Sequence, residues 1–340
     1  MSRFLRKAPA RLGLTRAWRA FHRGSVPVLM LHGVLPEEEA RPFNSTGKFV
    51  NPRELEELLE CMSRQFKVMP MDAFIEALGS RARFDNQMLV TFDDGYQNVY
   101  DHAFPLLRRM GIPFTVFVAT GFTDSTATLW TDKVEFALFS SEKKTLGAGV
   151  LPRELSLDGP VKRHAAVTLI KEALKGRTRE EADRLVASLF DELGFDPDDA
   201  GLKPVRFMSS EEIAEMAAAG VTFGGHSVTH PILSKESAER AGAEVGQCKR
   251  TLEEVTRRAV RCFAYPNGRR EDFNESTKRQ LADAGYSVAF TTIHGLYAPG
   301  DDPFEIRRIA VVGGYSCDEL MTHASGILKI RDLLGLGGAV

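Results

Sequence analysis

Met88-Leu89-Val90-Thr91-Phe92-Asp93-Asp94-Gly95 is an apolar run that stops at two adjacent carboxylates and a glycine. Residues 88–92 read as a buried strand, and Gly95 permits the sharp turn that ends it. Successive strand side chains point to opposite faces, so Asp93 and Asp94 share one site only where the strand already bends into its loop. Carboxylates at the carboxyl end of a parallel strand stand where α/β folds place their active sites. The competing reading is an Asp-Asp-Gly turn with solvated acids.

Outward from this run, apolar β-rich segments recur at 26–31, 66–69, 114–119, 221–224, 260–265, 286–291 and 306–312. Helical patterns separate most of them. One starts at Asn51 or Pro52 and carries Leu55, Leu58, Leu59 and Met62 at helical spacing; others cover 99–110, 209–219, 236–255 and 272–284. Strands alternating with helices predict a mostly parallel sheet, and seven or eight units favour a barrel over an open sheet. Residues 125–205 break the rhythm. They are charged, largely helical and punctuated by Gly147, Gly149, Pro152, Gly159 and Pro160, and read as a helical insertion that either caps the active-site face or decorates the outside. The predicted organisation is a basic arm at 1–24, a barrel domain at 25–320 and a tail at 321–340.

The 340 residues include 44 basic and 46 acidic side chains, and the net charge of −2 excludes a general attraction to nucleic acid. The first 24 residues hold seven basic side chains and no acid, so the remainder has 37 against 46. Phe4, Leu12, Trp18 and Phe21 among these arginines suit peripheral contact with anionic lipid, although Pro9 and Gly13 interrupt a helix there. Residues 327–334 carry the same ambiguity. Cys61, Cys248, Cys262 and Cys317 form no CxxC pair and read as buried thiols. Neither a secretory signal nor a span of roughly 20 apolar residues is evident, so the expected location is cytoplasmic, with peripheral contact at the inner membrane surface left open.

A second run gives the aspartates partners. Val221-Thr222-Phe223-Gly224-Gly225 leads into His226-Ser227-Val228-Thr229-His230, and two imidazoles four residues apart can converge on one ion. Two histidines and one carboxylate leave coordination positions for water and substrate, the pattern of a catalytic metal. The other aspartate is then free to act as general base toward water.

Thr91-Phe92-Asp93-Asp94-Gly95 with His226-Ser227-Val228-Thr229-His230 resembles the polysaccharide deacetylase family, also called the NodB homology domain or carbohydrate esterase family 4. The resemblance spans roughly 26–312. It implies a distorted (β/α)7 barrel, Asp93 as base, and Asp94, His226 and His230 as ligands of one divalent ion, Zn2+ in the first place, with Mn, Co, Ni and Fe open. It further implies a hydrolase that removes acetyl groups from N-acetylated or O-acetylated sugars of a polysaccharide or its precursor.

Beyond these two motifs the sequence departs from the family. The third motif falls on Ala264-Tyr265-Pro266-Asn267, without the arginine that orients the base, and the motifs bearing the usual general-acid histidine are not evident. The backbone N–H of Asn267 is a candidate oxyanion donor. His32, delivered by the strand-like 28–31, is the candidate acid for the leaving amine. Tyr96, Trp130 and Tyr265 are candidates to stack on sugar rings. Arg307 or Arg308 is a candidate to orient Asp93, with Arg307 taken as the substrate-facing member. The rival functions are a non-catalytic carbohydrate-binding or membrane-peripheral scaffold, and a hydrolase of non-sugar amides on the same fold.

Overall fold

The computed structural model describes residues 24–80, 84–149, 151–177, 179–196 and 200–326. Seven strands close a ring in chain order: β1 (Val28–Leu31), β2 (Gln87–Phe92), β3 (Thr115–Val118), β4 (Thr222–Gly225), β5 (Cys262–Ala264), β6 (Val288–His294) and β7 (Ile306–Ala310). Every neighbouring pair is parallel, and β1 closes the ring by pairing with both β2 and β7. This is the expected (β/α)7 barrel. The eighth run, expected at 66–69, forms only Lys67–Val68, which pairs with Gln87 and Met88. It lies outside the ring because β1 takes over the pairing at Leu89.

The strands alternate between two cores. Val28, Leu89, Phe117, Cys262, Phe290 and Ile306 point into the barrel, whose lower end is closed by Met71, Phe74 and Ile75 of α2 (Met71–Ser80). The intervening positions Leu29, Val90, Val116, Phe263 and Ile309 pack outward under the helices. Burying one such aliphatic side chain contributes roughly 1.5–3 kcal/mol. Local signals set the helix starts: Asn51 and Glu54 form a capping box at α1 (Pro52–Ser63), which buries Leu55, Leu58, Leu59 and Met62.

Helices α3 (Phe104–Met110), α4 (Trp130–Ser140), α5 (Pro160–Lys175), α6 (Arg179–Leu193), α7 (Ser210–Ala218), α8 (Ala238–Thr256), α9 (Glu275–Asp283) and α10 (Cys317–Ala324) complete the fold. The 125–205 segment supplies α4, α5 and α6 with a small hairpin, Thr145–Leu146 against Leu155–Ser156. These elements share a core of their own around Phe136, Ile170, Leu189 and Phe190. Helix α10 continues to Ala324, so a tail boundary at 321 would cut it. Residues 1–23 and 327–340, on which the lipid-contact readings rested, lie outside the described residues. Among the described residues no helix is long and apolar enough to cross a membrane.

The cysteine reading is corrected for one pair. Cys248 and Cys262 are buried thiols, but Cys61 and Cys317 are disulfide-bonded, with Cα atoms 6.1 Å apart across a sequence separation of 256. Spacing in the chain gave no hint, because only the packing of α1 against α10 brings them together.

Candidate active site

The interior parity of the strands runs on past their carboxyl ends and builds the site. His32 follows Val28 and Met30, Asp93 follows Leu89 and Thr91, His226 follows Gly224, and Arg308 and Ala310 follow Ile306. Met30, His32, Asp93, His226 and Ala310 line one cavity of about 360 Å³, with Thr91 and Arg308 hydrogen-bonded at its floor, while Val28, Leu89 and Ile306 belong to the barrel core beneath. Gly224 is small by necessity: a Cβ there would meet the Phe117 ring at 2.5 Å and the Cys262 sulfur at 2.8 Å.

Asp93 is held from below. Both its oxygens accept from Arg308, Nη1 to Oδ1 and Nη2 to Oδ2, each at 2.7 Å. Arg308 is 1% exposed, donates from Nε to the Thr291 carbonyl at 2.8 Å, and lies over the Phe117 ring. Burial alone would raise the Asp93 carboxyl, but the charge and paired hydrogen bonds of Arg308 outweigh it and hold it below the usual carboxylate range. Thr91 completes the cradle, donating to Leu29 O at 2.7 Å and accepting from Arg308.

Asp94 turns away from its neighbour because its φ is 71°, the bend required for adjacent aspartates to share a site. Its Oδ1 lies 3.3 Å from His226 Nε2 and 3.4 Å from His230 Nε2. The ligand atoms of the three residues lie within 4.8 Å of one another. His226 Nδ1 is 2.7 Å from the Ala264 carbonyl, a contact that requires its proton there. Nε2 of a neutral His226 is therefore a lone pair facing a carboxylate oxygen, an arrangement that a cation between them relieves. The donor set thus fits a divalent metal.

The loop from 226 to 230 is braced by a residue that sequence reasoning missed. Glu244 of α8 accepts from the Val228 and Thr229 amides, both at 2.8 Å, and from Thr229 Oγ1 at 2.7 Å. The bracing sustains φ values of 66° at Ser227 and 59° at His230, left-handed conformations that cost energy in non-glycine residues. No motif announces Glu244, which lies within a helix otherwise rich in charge.

Lys48 was missed for the same reason. Its Nζ is 3.4 Å from Asp94 Oδ2 and 2.9 Å from Asp132 Oδ1, and it donates to the Tyr96 hydroxyl. The Tyr96 hydroxyl in turn donates to Asp132 Oδ2 at 2.5 Å. Burial would push Asp94 up, but Lys48 and the two imidazoles hold it well below the usual range. Asp132 belongs to α4, so the insertion reaches the metal-ligand candidate through one lysine. The same segment adds Leu129, Thr131, Glu135, Lys171 and Lys175 to the cavity wall, and Lys171 is ion-paired with Glu135.

The remaining sequence candidates divide. His32, Tyr265 and Asn267 line the cavity. Burial lowers the His32 imidazole, with Asp94 opposing it. Tyr265 is 1% exposed, stacks on Phe273 and donates to the Phe304 carbonyl at 3.0 Å, so only an edge faces the cavity. Asn267 has φ 58°, and among the described residues no backbone acceptor takes its N–H. Trp130 is half-buried and lines a smaller adjoining cleft. Two expectations need correction. Tyr96 is fully buried beneath Asp94 and offers no face to a sugar. Arg307 is exposed outside the cavity, because the interior parity of β7 belongs to its neighbour Arg308.

A parallel seven-stranded barrel that gathers an Asp-His-His group and a tethered aspartate at its carboxyl-end mouth places them where (β/α) barrels carry their active sites. The chain belongs to the polysaccharide deacetylase family, whose pattern matches residues 81–289. It is 19% identical over 310 residues to YxkH of Bacillus subtilis (strain 168), covering 89% of this chain and 77% of that one. Among solved structures, the Streptococcus pyogenes deacetylase PplD in complex with acetate matches with a TM-score of 0.60 at 18% identity, over 89% of this chain and 99% of that one. IcaB from Ammonifex degensii matches with a TM-score of 0.58 at 21% identity, over 89% and 97%. These likenesses support the fold, and family membership supports a hydrolase acting on a polysaccharide.

Proposed function

We propose that the protein hydrolyses acetyl groups from N-acetylated sugars of a polysaccharide or its precursor, with Asp93 as general base. The observation carrying this is the division of labour between neighbours: Asp93 is engaged by Arg308, while Asp94 faces two imidazoles. A divalent ion held by Asp94, His226 and His230 would supply Lewis acidity toward water and the acetyl carbonyl, zinc being the first candidate. Asp93, ionised and fixed in orientation, accepts the proton of the attacking water. The Asn267 N–H is the donor available to the developing oxyanion. His32 lines the same cavity and in its protonated form would donate to the leaving amine. The acetate in the complex of the structural neighbour PplD accords with an acyl group of this size.

The Cys61–Cys317 bond favours an oxidising compartment over the cytoplasmic location expected from the sequence. The test of the main reading is acetate release from N-acetyl chito-oligosaccharides by protein loaded with one equivalent of divalent ion. Asp93→Asn should lower the rate by roughly 10²–10⁴-fold. Unchanged release in that variant removes the assigned mechanism. Metal binding without turnover of any sugar or small amide identifies a scaffold instead.

A further inference from the structure

Inside the cavity each cation has its own carboxylate: Lys48 has Asp132, Lys171 has Glu135 and Arg308 has Asp93. At the rim that pairing fails. Lys175 and Arg269 share the single carboxylate of Glu172, the first at 2.9 Å and the second through two contacts of 3.2 and 3.4 Å. Beside them opens a second cleft of about 50 Å³ that has Lys175, His230 and Asn267 in common with the main cavity and adds Arg177 and Lys235. The acid on that side, Glu236, is engaged by Arg240 at 3.0 Å. The second cleft is therefore lined by Lys175, Arg177 and Lys235 with Glu236 as the acid among its lining residues, in a chain whose residues 25–340 hold 37 basic against 46 acidic side chains.

Such crowding repels, and a divalent ion at Asp94 would add to the positive field. Hydrolysis of a neutral acetamide requires none of it. We infer that the sugar substrate carries an anionic group, a phosphate or a carboxylate, that docks in the second cleft against Lys175, Arg177 and Lys235. His230 belongs to both cavities, so a group seated there lies beside the metal-ligand candidate while the acetyl group occupies the main cavity. Arg177 presents a planar fork suited to either oxyanion, and Lys175 and Lys235 point charges. The inference rests on the deacetylase reading for what lies in the main cavity, but the anion cleft can be probed without turnover.

The experiment compares kcat/KM for a neutral N-acetyl chito-oligosaccharide, an N-acetylglucosamine oligomer bearing a phosphate, and one containing a uronate. Alongside, N-acetylglucosamine 1-phosphate is titrated calorimetrically into the metal-loaded protein. The expected result is about a tenfold or larger preference for an anionic substrate, mostly in KM, that shrinks toward unity in about 1 M salt. The phosphate and uronate arms report which oxyanion is preferred. Arg177→Glu with Lys235→Glu, both exposed, and separately Lys175→Glu should each collapse the preference and the binding of the sugar phosphate.

Equal kcat/KM for neutral and anionic sugars overturns the proposal, as does a preference that survives both charge reversals. If no sugar is turned over but the sugar phosphate binds the wild type and not the variants, the cleft stands and the deacetylase reading falls. Absence of both turnover and binding overturns both.

Discussion

Arg308 and Lys48 hold two adjacent aspartates apart in function, each by a contact that one substitution removes. Arg308→Met would leave Asp93 buried without its counter-charge, an arrangement that typically costs about 3–5 kcal/mol. With the opposing charge gone, burial would raise the Asp93 pKa, so the acid limb of the activity profile should move to higher pH and acetate release should fall steeply. Arg308→Lys keeps the charge but not the paired contact, and should recover part of the activity. A pH–rate profile identical to wild type in Arg308→Met would show that the tether does not set the base. Lys48→Met should act on the other aspartate. Removing the lysine frees Asp94 Oδ2 and strands Asp132, so metal affinity should change by about 10–100-fold, the range seen for groups that position metal ligands. Calorimetric titration of the metal-free variant with zinc measures this directly, and an unaltered affinity would confine Lys48 to structure.

At the scale of elements, the loop 226–230 depends on α8. Glu244→Gln retains the size of the side chain but replaces a charged acceptor serving three donors with an amide. The loop should then relax from its left-handed conformations, with weaker metal retention and a loss of about 1–3 kcal/mol in unfolding free energy; wild-type values for both would remove the bracing role. Elements also set what could be read from sequence. The strands and their helices were legible because apolar periodicity survives burial, and Asp93, Asp94, His226 and His230 because they are close neighbours in the chain. Arg308 was legible only as one of two adjacent arginines, since parity is fixed by register and register is not written in Arg307-Arg308 itself. Lys48 and Glu244 were not legible, because neither lies in a motif and their partners Asp132 and Thr229 stand 84 and 15 residues away. Tyr96 misled because an aromatic directly after a motif looks the same in sequence whether it faces a ligand or the core.

The whole molecule should be acid-sensitive when metal-free. Burial lowers His32 and His230 below the ordinary imidazole value of 6.5, and Asp93 and Asp94 lie below the ordinary 3.8. For each of these groups the unfolded chain binds protons at a higher pH than the folded one, so stability rises with pH across the gap. The melting temperature of metal-free protein should therefore fall as pH drops below about 6.5, from the histidines, and again below about 3.8, from the aspartates. A flat melting temperature between about pH 7 and pH 5 would contradict the buried neutral state of the imidazoles.

A ring of strands built in chain order has one place where its first and last members must meet, β1 against β7. Helix α1 follows the first strand, α10 follows the last, and the Cys61–Cys317 bond joins them. Reductant would thus turn a clasped hoop into one free to unzip at its join, and deuterium should enter the amides of β1 and β7 before those of β3 and β4, on the far side.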